Sequence, residues 1–346
     1  WRSLPTRRPS VYSSTVFYGL VGERTGVPVV CRSAGNDVQR PWIGYPFRFA
    51  SGLLSRPWLD ERIYAAFRRW RSPEWTQSLF RKARYQLMVR SARANRYVMA
   101  NSAFTNALLR DLGIPEERRK VLPGGVDTAR FARPRIPRNR ESRRLLTVCR
   151  LVPKKGIDFL LEAFALYRVE EPGATLTIVG DGPLRARYEA LAERLGLGES
   201  VRFAGRVPFD SIAECYWSAD AFLLPSRDEV HEASGTRDVE TMGRVLCEAN
   251  AAGIPVIAAR CGGVPSVIRH EFNGLLFPPG DAEGLLAGVR RVFADCGLRT
   301  KLVGNGIQIA REQFDWNVIM KRHEEIFDKV RGKAKRGVSK KAKMRV

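Results

Sequence analysis

Short apolar runs alternate with amphipathic stretches along most of the chain, and the alternation is most regular after residue 144. Within 156–168, for example, the apolar positions are 157, 160, 161, 164 and 165, the spacing of one helix face. Strands of about five apolar residues between amphipathic helices indicate an α/β fold with a parallel sheet covered on both faces. Strands are predicted at 145–149, 174–179, 201–203, 221–224, 255–259 and 275–277.

The part of the chain before residue 135 follows a weaker version of the same pattern. Strands are predicted at 11–12, 27–31, 96–100 and 121–123, with helices near 16–24 and from Ser102 and a helix-like aromatic stretch over 57–95. Residues 132–144 are rich in Arg and Pro and have no apolar period, which is typical of a linker. The pattern therefore predicts two α/β domains, 1–135 and 136–312.

Length and composition agree with two globular domains, since the chain has 346 residues, of which 44% are hydrophobic and 27% charged. The sequence has no run of about 18 apolar residues, so no membrane span is expected. Six cysteines without a C-x-x-C pair, and only three histidines, favour a cytoplasmic setting and no metal site. The first residue is not Met, and we expect the chain to be incomplete at its N-terminus.

The net charge of +23 is concentrated in two segments. Residues 62–96 carry ten Arg and Lys with one acid, Glu74, and residues 329–346 carry nine with none. Such patches suit partners rich in phosphate, which are anionic lipid, nucleic acid or a phosphorylated substrate. The last stretch, 331–346, is of low complexity and is expected to be a disordered basic tail.

Two loops that follow predicted strands suggest a phosphate site, because ligands of parallel α/β sheets bind beyond the carboxyl ends of the strands. Arg150 and Lys155 follow the strand 145–149 and precede a helix, so cations and free amides would meet a diphosphate there. Gly180 and Gly182 follow the next strand and permit a close backbone approach. A solvated basic loop and a plain turn are the respective alternatives.

A third loop carries the most specific pattern, in which Glu240 and Glu248 are separated by seven residues. Glu240 precedes a helix, Glu248 lies one turn inside it, and Gly243, Arg244 and Val245 would present amides to an anion. A carboxylate accepts two hydrogen bonds from a vicinal diol, which sugars and ribose both offer. A solvated Glu248 at a charged helix entry is the alternative, although its neighbours are apolar and buried carboxylates need a partner.

Taken in order, these loops resemble the donor domain of glycosyltransferase family 4. The matching segments are C-R-L-V-P-K-K-G, I-V-G-D-G-P-L, V-R-F-A-G-R-V, S-A-D-A-F-L-L-P-S, V-E-T-M-G-R-V-L-C-E-A-N-A-A-G-I-P-V-I-A, G-G-V-P-S-V-I and N-G-L-L-F-P-P-G-D. The resemblance is collinear over roughly residues 95–330 and implies the GT-B fold, two Rossmann-like domains facing each other across a cleft. It also implies that 313–330 is a C-terminal crossover helix and that part of the first, acceptor-side domain is missing.

Carried over by position, the resemblance implies that Arg150, Lys155 and Glu240 act in catalysis, the first two on the donor diphosphate and Glu240 on donor-sugar hydroxyls. The implied donor-binding residues, with Glu248 accepting from the ribose diol, are Gly180, Gly182, Arg206, Val207, Gly243, Arg244, Val245 and Glu248. The family commonly has His-Gly near position 34 and a glutamate at position 266, where this chain has Ala34-Gly35 and Ser266.

The activity implied is retaining transfer of a sugar, mannose or another hexose, from a nucleotide-diphosphate donor to a glycan or lipid-linked acceptor in envelope or polysaccharide biosynthesis. No metal cofactor is implied, and the basic segments suggest a peripheral site on an anionic membrane at its inner face. A nucleotide-sugar epimerase of the same architecture and a basic nucleic-acid-binding protein are the alternatives. The epimerase would need catalytic carboxylates and histidines in the cleft, and the chain has only three histidines. No nucleic-acid motif is recognised in the sequence.

Overall fold

A computed structural model describes residues 11–39, 85–132, 134, 142–231 and 236–342. The chain divides into two compact units, with the main division after Val121; Ser102–Phe104 belong to the second unit, and the described residues after Arg331 belong to the first. The first unit contains a four-stranded parallel sheet and the second a six-stranded parallel sheet. Two sheets of this kind with flanking helices confirm the predicted α/β class.

The sheet of the first unit has the order β1-β2-β3-β4. Its strands are β1 (Val11–Ser13), β2 (Val29–Ser33), β3 (Tyr97–Ala100) and β4 (Arg119–Val121). The helices are α1 (Gly19–Thr25), α2 (Asn36–Gln39) and α3 (Ala103–Asp111). A further helix covers residues 85–94, between β2 and β3 in the chain. Val16, Cys31, Met88, Val98 and Leu109 form much of its core. The predicted aromatic stretch over 57–95 lies mainly outside the described residues.

The sheet of the second unit has the order β12-β11-β8-β5-β6-β7, with every neighbouring pair parallel. Its strands are β5 (Arg144–Val148), β6 (Thr175–Val179), β7 (Val201–Gly205), β8 (Ala221–Leu224), β11 (Val256–Ala259) and β12 (Leu275–Phe277). The chain runs outward from β5 in one direction and then returns to lie on its other side at β8. The crevice at such a reversal of strand order is where ligands of doubly wound sheets bind.

Helices cover both faces of this sheet, which explains why its strands are nearly continuous apolar runs. Leu145 of β5 packs into one core and Leu146 into the other, and the same alternation holds for Leu223 and Leu224 of β8. The helices are α4 (Thr128–Phe131), α5 (Ile157–Glu170), α6 (Arg185–Arg194), α7 (Ile212–Trp217), α8 (Arg244–Ala251), α9 (Ala282–Ala294), α10 (Cys296–Ile309) and α11 (Trp316–Ala342). The six strands predicted after residue 144 and the helix predicted over 156–168 are confirmed within a few residues.

The structure adds one element that the sequence pattern did not predict, an antiparallel ribbon of β9 (Glu229–His231) and β10 (Thr236–Asp238). The two strands have three residues each and are largely polar, so they lack the apolar run by which the other strands were recognised. The ribbon leads from β8 into the loop that carries Glu240.

Two boundaries differ from those predicted. The division between the units falls before Leu122 and not at 135/136, because Val126 and Phe131 are buried in the core of the second unit. Helix α11 continues to Ala342, so most of the expected disordered tail is helical.

Candidate active site

A cavity of about 640 Å³ lies at the carboxyl ends of β5, β6 and β7 in the second unit. It collects residues from four separate loops, which is what parallel strands ending at one edge of a sheet produce. Six of the predicted site residues line it, namely Arg150, Gly180, Gly182, Arg206, Val207 and Val245.

Two glycines let the loops after β5 and β6 lie against each other. A Cβ atom on Gly180, whose φ is +125°, would stand 1.9 Å from the carbonyl oxygen of Cys149. A Cβ atom on Gly182 would stand 2.3 Å from the carbonyl oxygen of Leu151. The backbone N–H of Leu151 donates to the carbonyl of Asp181 at 3.0 Å, so this part of the cavity wall is main chain. Any side chain at either glycine would force the loops apart.

Two arginines bring positive charge to the cavity. Arg150 is exposed, and its guanidinium forms no ion pair with a carboxylate of the described residues. Arg206 is 86% exposed at its side chain, and its Nε lies 3.9 Å from the Asp181 carboxylate. Its neighbour Val207 is partly buried and packs against the apolar core. The cavity therefore has two cationic side chains at its wall, which suits an anionic ligand.

Lys155 forms an ion pair with Glu240, and both side chains are almost inaccessible to solvent. Burial alone would lower the pKa of Lys155, but the Glu240 carboxylate outweighs this and raises it. Burial alone would raise the pKa of Glu240, but Lys155, with help from Lys154 and the Gly243 backbone N–H, lowers it. Both groups are therefore charged near neutral pH. Lys155 was expected beside Arg150, yet neither Lys155 nor Glu240 lines the cavity that contains Arg150.

A second ion pair adjoins the first and was not anticipated from the sequence. Lys154 Nζ lies 3.0 Å from the Asp238 carboxylate, and both side chains are largely buried. Two consecutive lysines thus meet two carboxylates spaced two residues apart, Asp238 and Glu240. Side chains two apart on an extended segment share a face, so this spacing was the available signal. The pairs tie the loop after β5 to the loop after β10.

Close packing also fixes the backbone of Glu240. The N–H of Gly263 donates to the Glu240 carbonyl at 2.8 Å. A Cβ atom on Gly262, whose φ is +47°, would stand 2.1 Å from the same oxygen. The paired glycines of the loop after β11 therefore pack against the protein's own backbone.

Helix α8 begins at Arg244 after Gly243, which has a left-handed φ of +78°. No side chain caps the helix, and its first turn contains no acid. The amides of Arg244 and Val245 therefore keep hydrogen-bonding capacity at the positive end of the helix dipole, whereas the Leu246 N–H donates to the Gly243 carbonyl at 2.9 Å. Val245, the second residue of the helix, lines the cavity, so this helix end is beside the Arg150 wall.

Glu248 is buried one turn inside α8, as the sequence predicted. Its Oε2 accepts a hydrogen bond of 2.7 Å from the Tyr216 hydroxyl, and its Oε1 lies 3.7 Å from Arg244 Nε. Burial raises the pKa of Glu248, and the two neighbours oppose that shift without cancelling it. The contact between Tyr216 and Glu248 was not anticipated from the sequence, where the available signal was a hydroxyl-bearing aromatic residue within a largely apolar helix.

Over the part of the chain that the structure describes, no group of three or more His, Cys, Asp or Glu side chains is arranged to hold a metal ion. Within the same residues, no helix has the length and apolar character needed to cross a bilayer.

Comparisons with known proteins agree with this architecture. The chain is 31% identical over 224 residues to an uncharacterized glycosyltransferase of Methanocaldococcus jannaschii, covering 62% of this chain and 54% of that protein. It is 33% identical over 226 residues to a GDP-mannose-dependent alpha-(1-6)-phosphatidylinositol monomannoside mannosyltransferase of Mycobacterium tuberculosis, covering 63% and 58%. The chain thus spans a little over half the length of these relatives.

Solved structures show the same fold. The Anabaena protein HepE, crystallised with UDP and glucose, superposes with a TM-score of 0.68 at 21% identity, covering 92% of this chain and 77% of HepE. The sucrose-phosphate synthase of Thermosynechococcus elongatus superposes with a TM-score of 0.68 at 22% identity, covering 93% and 73%. The predicted GT-B class, with two Rossmann-like domains, is confirmed.

The model of the family described as glycosyl transferases group 1 matches residues 129–309. That match includes β5 to β12 with all the loops around the cavity, and it extends over more than half of the chain. The chain therefore belongs to the group 1 glycosyl transferases.

Proposed function

We propose that this chain transfers a hexose, with retention of anomeric configuration, from a nucleoside diphosphate sugar to a glycan or lipid-linked acceptor. The observation that carries the proposal is the cavity where Arg150, the main-chain wall at Gly180 and Gly182, and the start of α8 meet. A guanidinium, close backbone and free helix amides together form a site for a diphosphate.

The positions of the nucleoside and of the sugar follow from placing the diphosphate in this cavity. The nucleoside lies toward Arg206 and Val207, with the ribose diol on Glu248, whose carboxylate is one turn from Val245. The sugar lies toward Glu240, which Lys155 holds ionised and in place. An ionised carboxylate that is already oriented accepts hydrogen bonds from sugar hydroxyls without first having to reorganise.

Transfer then proceeds on one face of the sugar. A bond forms between the acceptor oxygen and the anomeric carbon while the bond from that carbon to the diphosphate oxygen breaks. The departing diphosphate takes the proton of the acceptor hydroxyl. Negative charge grows on the diphosphate during this step, and Arg150, Lys155 and the α8 amides stabilise it. We propose that these fixed positive groups do so without a divalent metal ion.

The relatives guide the choice of substrates. The mycobacterial relative is named for GDP-mannose and a phosphatidylinositol mannoside, which supports a hexose donor and a lipid-linked acceptor for this chain. HepE was crystallised with UDP and glucose, so uridine donors are equally open to test. A lipid-linked acceptor and the basic segments 62–96 and 329–346 favour a peripheral position on the inner membrane face.

The test is calorimetric titration with UDP, GDP, UDP-glucose and GDP-mannose. One nucleotide should bind, and Arg150→Ala should weaken its binding about tenfold, because a hydrogen bond to a charged group is lost. Arg194→Ala is the matched control, since Arg194 is exposed in α6 away from the cavity wall. Magnetic resonance of the product then reports its anomeric configuration. No binding to any of the four compounds, or equal affinity in Arg150→Ala, contradicts the proposal.

A further inference from the structure

We propose that Tyr216 is a positioning residue for the donor, because its hydroxyl orients the Glu248 carboxylate toward the ribose diol. The inference deepens the proposed function and rests on it. Tyr216 is separated from Glu248 by 32 positions in the sequence and belongs to a different helix, α7.

The hydrogen bond between these two residues is well formed and shielded from water. The Tyr216 hydroxyl donates to Glu248 Oε2 at 2.7 Å, and Tyr216 is fully buried. Arg244 approaches the other oxygen, Oε1, at 3.7 Å. A carboxylate has about four lone-pair sites, so both oxygens keep acceptor capacity for a diol. The hydrogen bond from the Tyr216 hydroxyl fixes which lone-pair sites of the Glu248 carboxylate remain available to a ligand and the direction in which they point.

The ring of Tyr216 cannot move to follow its partner. It stacks on Phe222 with the ring centroids 5.6 Å apart, and it meets Phe131 edge to face at 5.5 Å. Both neighbours are themselves buried in the same apolar core. A donor fixed in this way holds the carboxylate to one orientation, whereas a surface donor would leave it several.

The pair lies next to the cavity. Ile212 of α7 and Val245 of α8 both line it, and Tyr216 and Glu248 follow them by four and three residues. Residues three or four apart share a helix face, so the pair stands one turn along from two wall residues. Its place therefore suits a ligand group that enters beside Val245.

The charges around Glu248 explain why the phenol matters. Among the residues that the structure describes, the ionisable groups facing Glu248 are Arg244 and Cys247 on its own helix and Tyr216 on α7. Burial raises the pKa of Glu248, while the Tyr216 hydrogen bond and then Arg244 act against that rise. Without the phenol, the pKa of Glu248 would rise further, and the ionised form that accepts from a diol would be lost at a higher pH.

The variant Tyr216→Phe removes the hydroxyl and keeps the ring. Titration with UDP and GDP from about pH 5 to about pH 8 should give about tenfold weaker binding near neutrality, with the acid-side loss of affinity moved to higher pH. Tyr188→Phe is the matched control. Tyr188 is also fully buried in the second unit, and its hydroxyl has no hydrogen-bond partner among the described residues. It should bind as the unmodified chain does at every pH.

Two further measurements separate positioning from packing. In a Glu248→Gln background, Tyr216→Phe should cost little additional affinity, because the group through which it acts has been removed. Difluorotyrosine at position 216 is a stronger hydrogen-bond donor of nearly the same shape, so it should move the acid-side loss of nucleotide affinity to lower pH. This variant tests the inference independently if Tyr216→Phe does not fold. The inference is overturned by an unchanged pH profile in Tyr216→Phe, by the same loss in both backgrounds, or by no shift with difluorotyrosine. If the unmodified chain binds neither nucleotide, the proposed function is overturned and this inference with it.

Discussion

Lys155 donates a hydrogen bond to Glu240 in the second unit, across 85 positions of sequence, and both side chains are largely removed from solvent. Two charges that are buried together are held by their mutual attraction and by hydrogen bonds, which Lys155 donates and the Glu240 carboxylate accepts. The pair places a carboxylate of fixed orientation after the β10 strand, next to the start of α8.

Breaking this pair from one side should destabilise the second unit. Lys155→Met leaves Glu240 buried without its principal partner, and we expect a loss of about 3 kcal/mol in the free energy of unfolding, measured in urea. The double variant Lys155→Met, Glu240→Gln should lose less unfolding free energy than the sum of the losses in the two single variants, because no uncompensated buried charge remains. Additive losses would contradict the ion pair.

The same pair predicts a pH dependence. The pKa of Glu240 lies below its ordinary value of 4.5, so its contribution to stability is present above that pH and disappears as pH falls through the lowered pKa. The pKa of Lys155 lies above its ordinary 10.5, so its contribution is present below that pH and disappears at still higher pH. Glu240→Gln should therefore reduce the fall in unfolding free energy at acid pH. An unchanged fall in the variant would contradict the lowered pKa of Glu240.

Glu240 and Glu248 should have separable effects on binding. Glu248→Gln should weaken the nucleoside diphosphate and the nucleoside diphosphate sugar alike, because both carry the ribose. Glu240→Gln should leave the nucleoside diphosphate almost unaffected and weaken the sugar nucleotide about tenfold, since it loses an ionised acceptor for sugar hydroxyls. Calorimetry with both compounds measures the difference, and identical behaviour of the two variants toward the nucleoside diphosphate would refute it.

Gly180→Ala should disturb the cavity wall itself. The new Cβ atom would overlap the Cys149 carbonyl, and a φ of +125° is unfavourable for any residue with a side chain. We expect a loss of roughly 2–4 kcal/mol in unfolding free energy together with weaker nucleotide binding. Gly173→Ala is the control, because a Cβ atom there meets nothing within 4 Å. Equal stability of the two variants would show that the close approach is not needed.

Sugar transfer should not depend on a divalent metal, because Arg150, Lys155 and the α8 amides supply the positive charge that the leaving diphosphate requires. Adding a chelator to a transfer assay should leave the rate unchanged. Inhibition by the chelator that manganese or magnesium reverses would show that the charge comes from a metal ion instead.

The chain should bind anionic vesicles through its two basic segments. Segment 62–96, of which 62–84 lies outside the described residues, mixes Phe67, Trp70 and Trp75 with ten cations, and the tail adds nine more. Each cation near a charged membrane contributes about 1 kcal/mol, and aromatic side chains can enter the interface. Vesicle co-sedimentation, with and without anionic lipid, measures the binding.

Salt separates the two contributions to membrane binding. Purely electrostatic docking should vanish above about 0.5 M salt, where the Debye length is only a few Å, whereas inserted aromatics leave a remainder that Trp70→Ala with Trp75→Ala removes. Arg194→Ala is again the control. Equal binding to neutral and anionic vesicles, or no binding to either, would contradict the prediction.

The sequence by itself determined where the strands and loops of both sheets occur, because apolar runs and helical spacing are local properties of the chain. It likewise indicated that Glu248 lies one turn inside a helix among apolar neighbours and that Gly180 and Gly182 permit a close backbone approach, since these features depend on a few neighbouring residues. The short polar ribbon of β9 and β10 escaped because it has no apolar run, and the helical tail escaped because its composition resembles that of a disordered segment.

Only the tertiary structure decided which charges meet. Lys155 was assigned with Arg150 to the donor diphosphate, and the order of the strands also pairs it with Glu240, and Lys154 with Asp238 84 positions away. The contact between Tyr216 and Glu248 arises in the same way, because α7 and α8 come together only through the reversal of strand order at β5. A sequence pattern specifies which groups can pair, whereas the choice among distant partners depends on strand order, burial and the cost of leaving a buried charge alone.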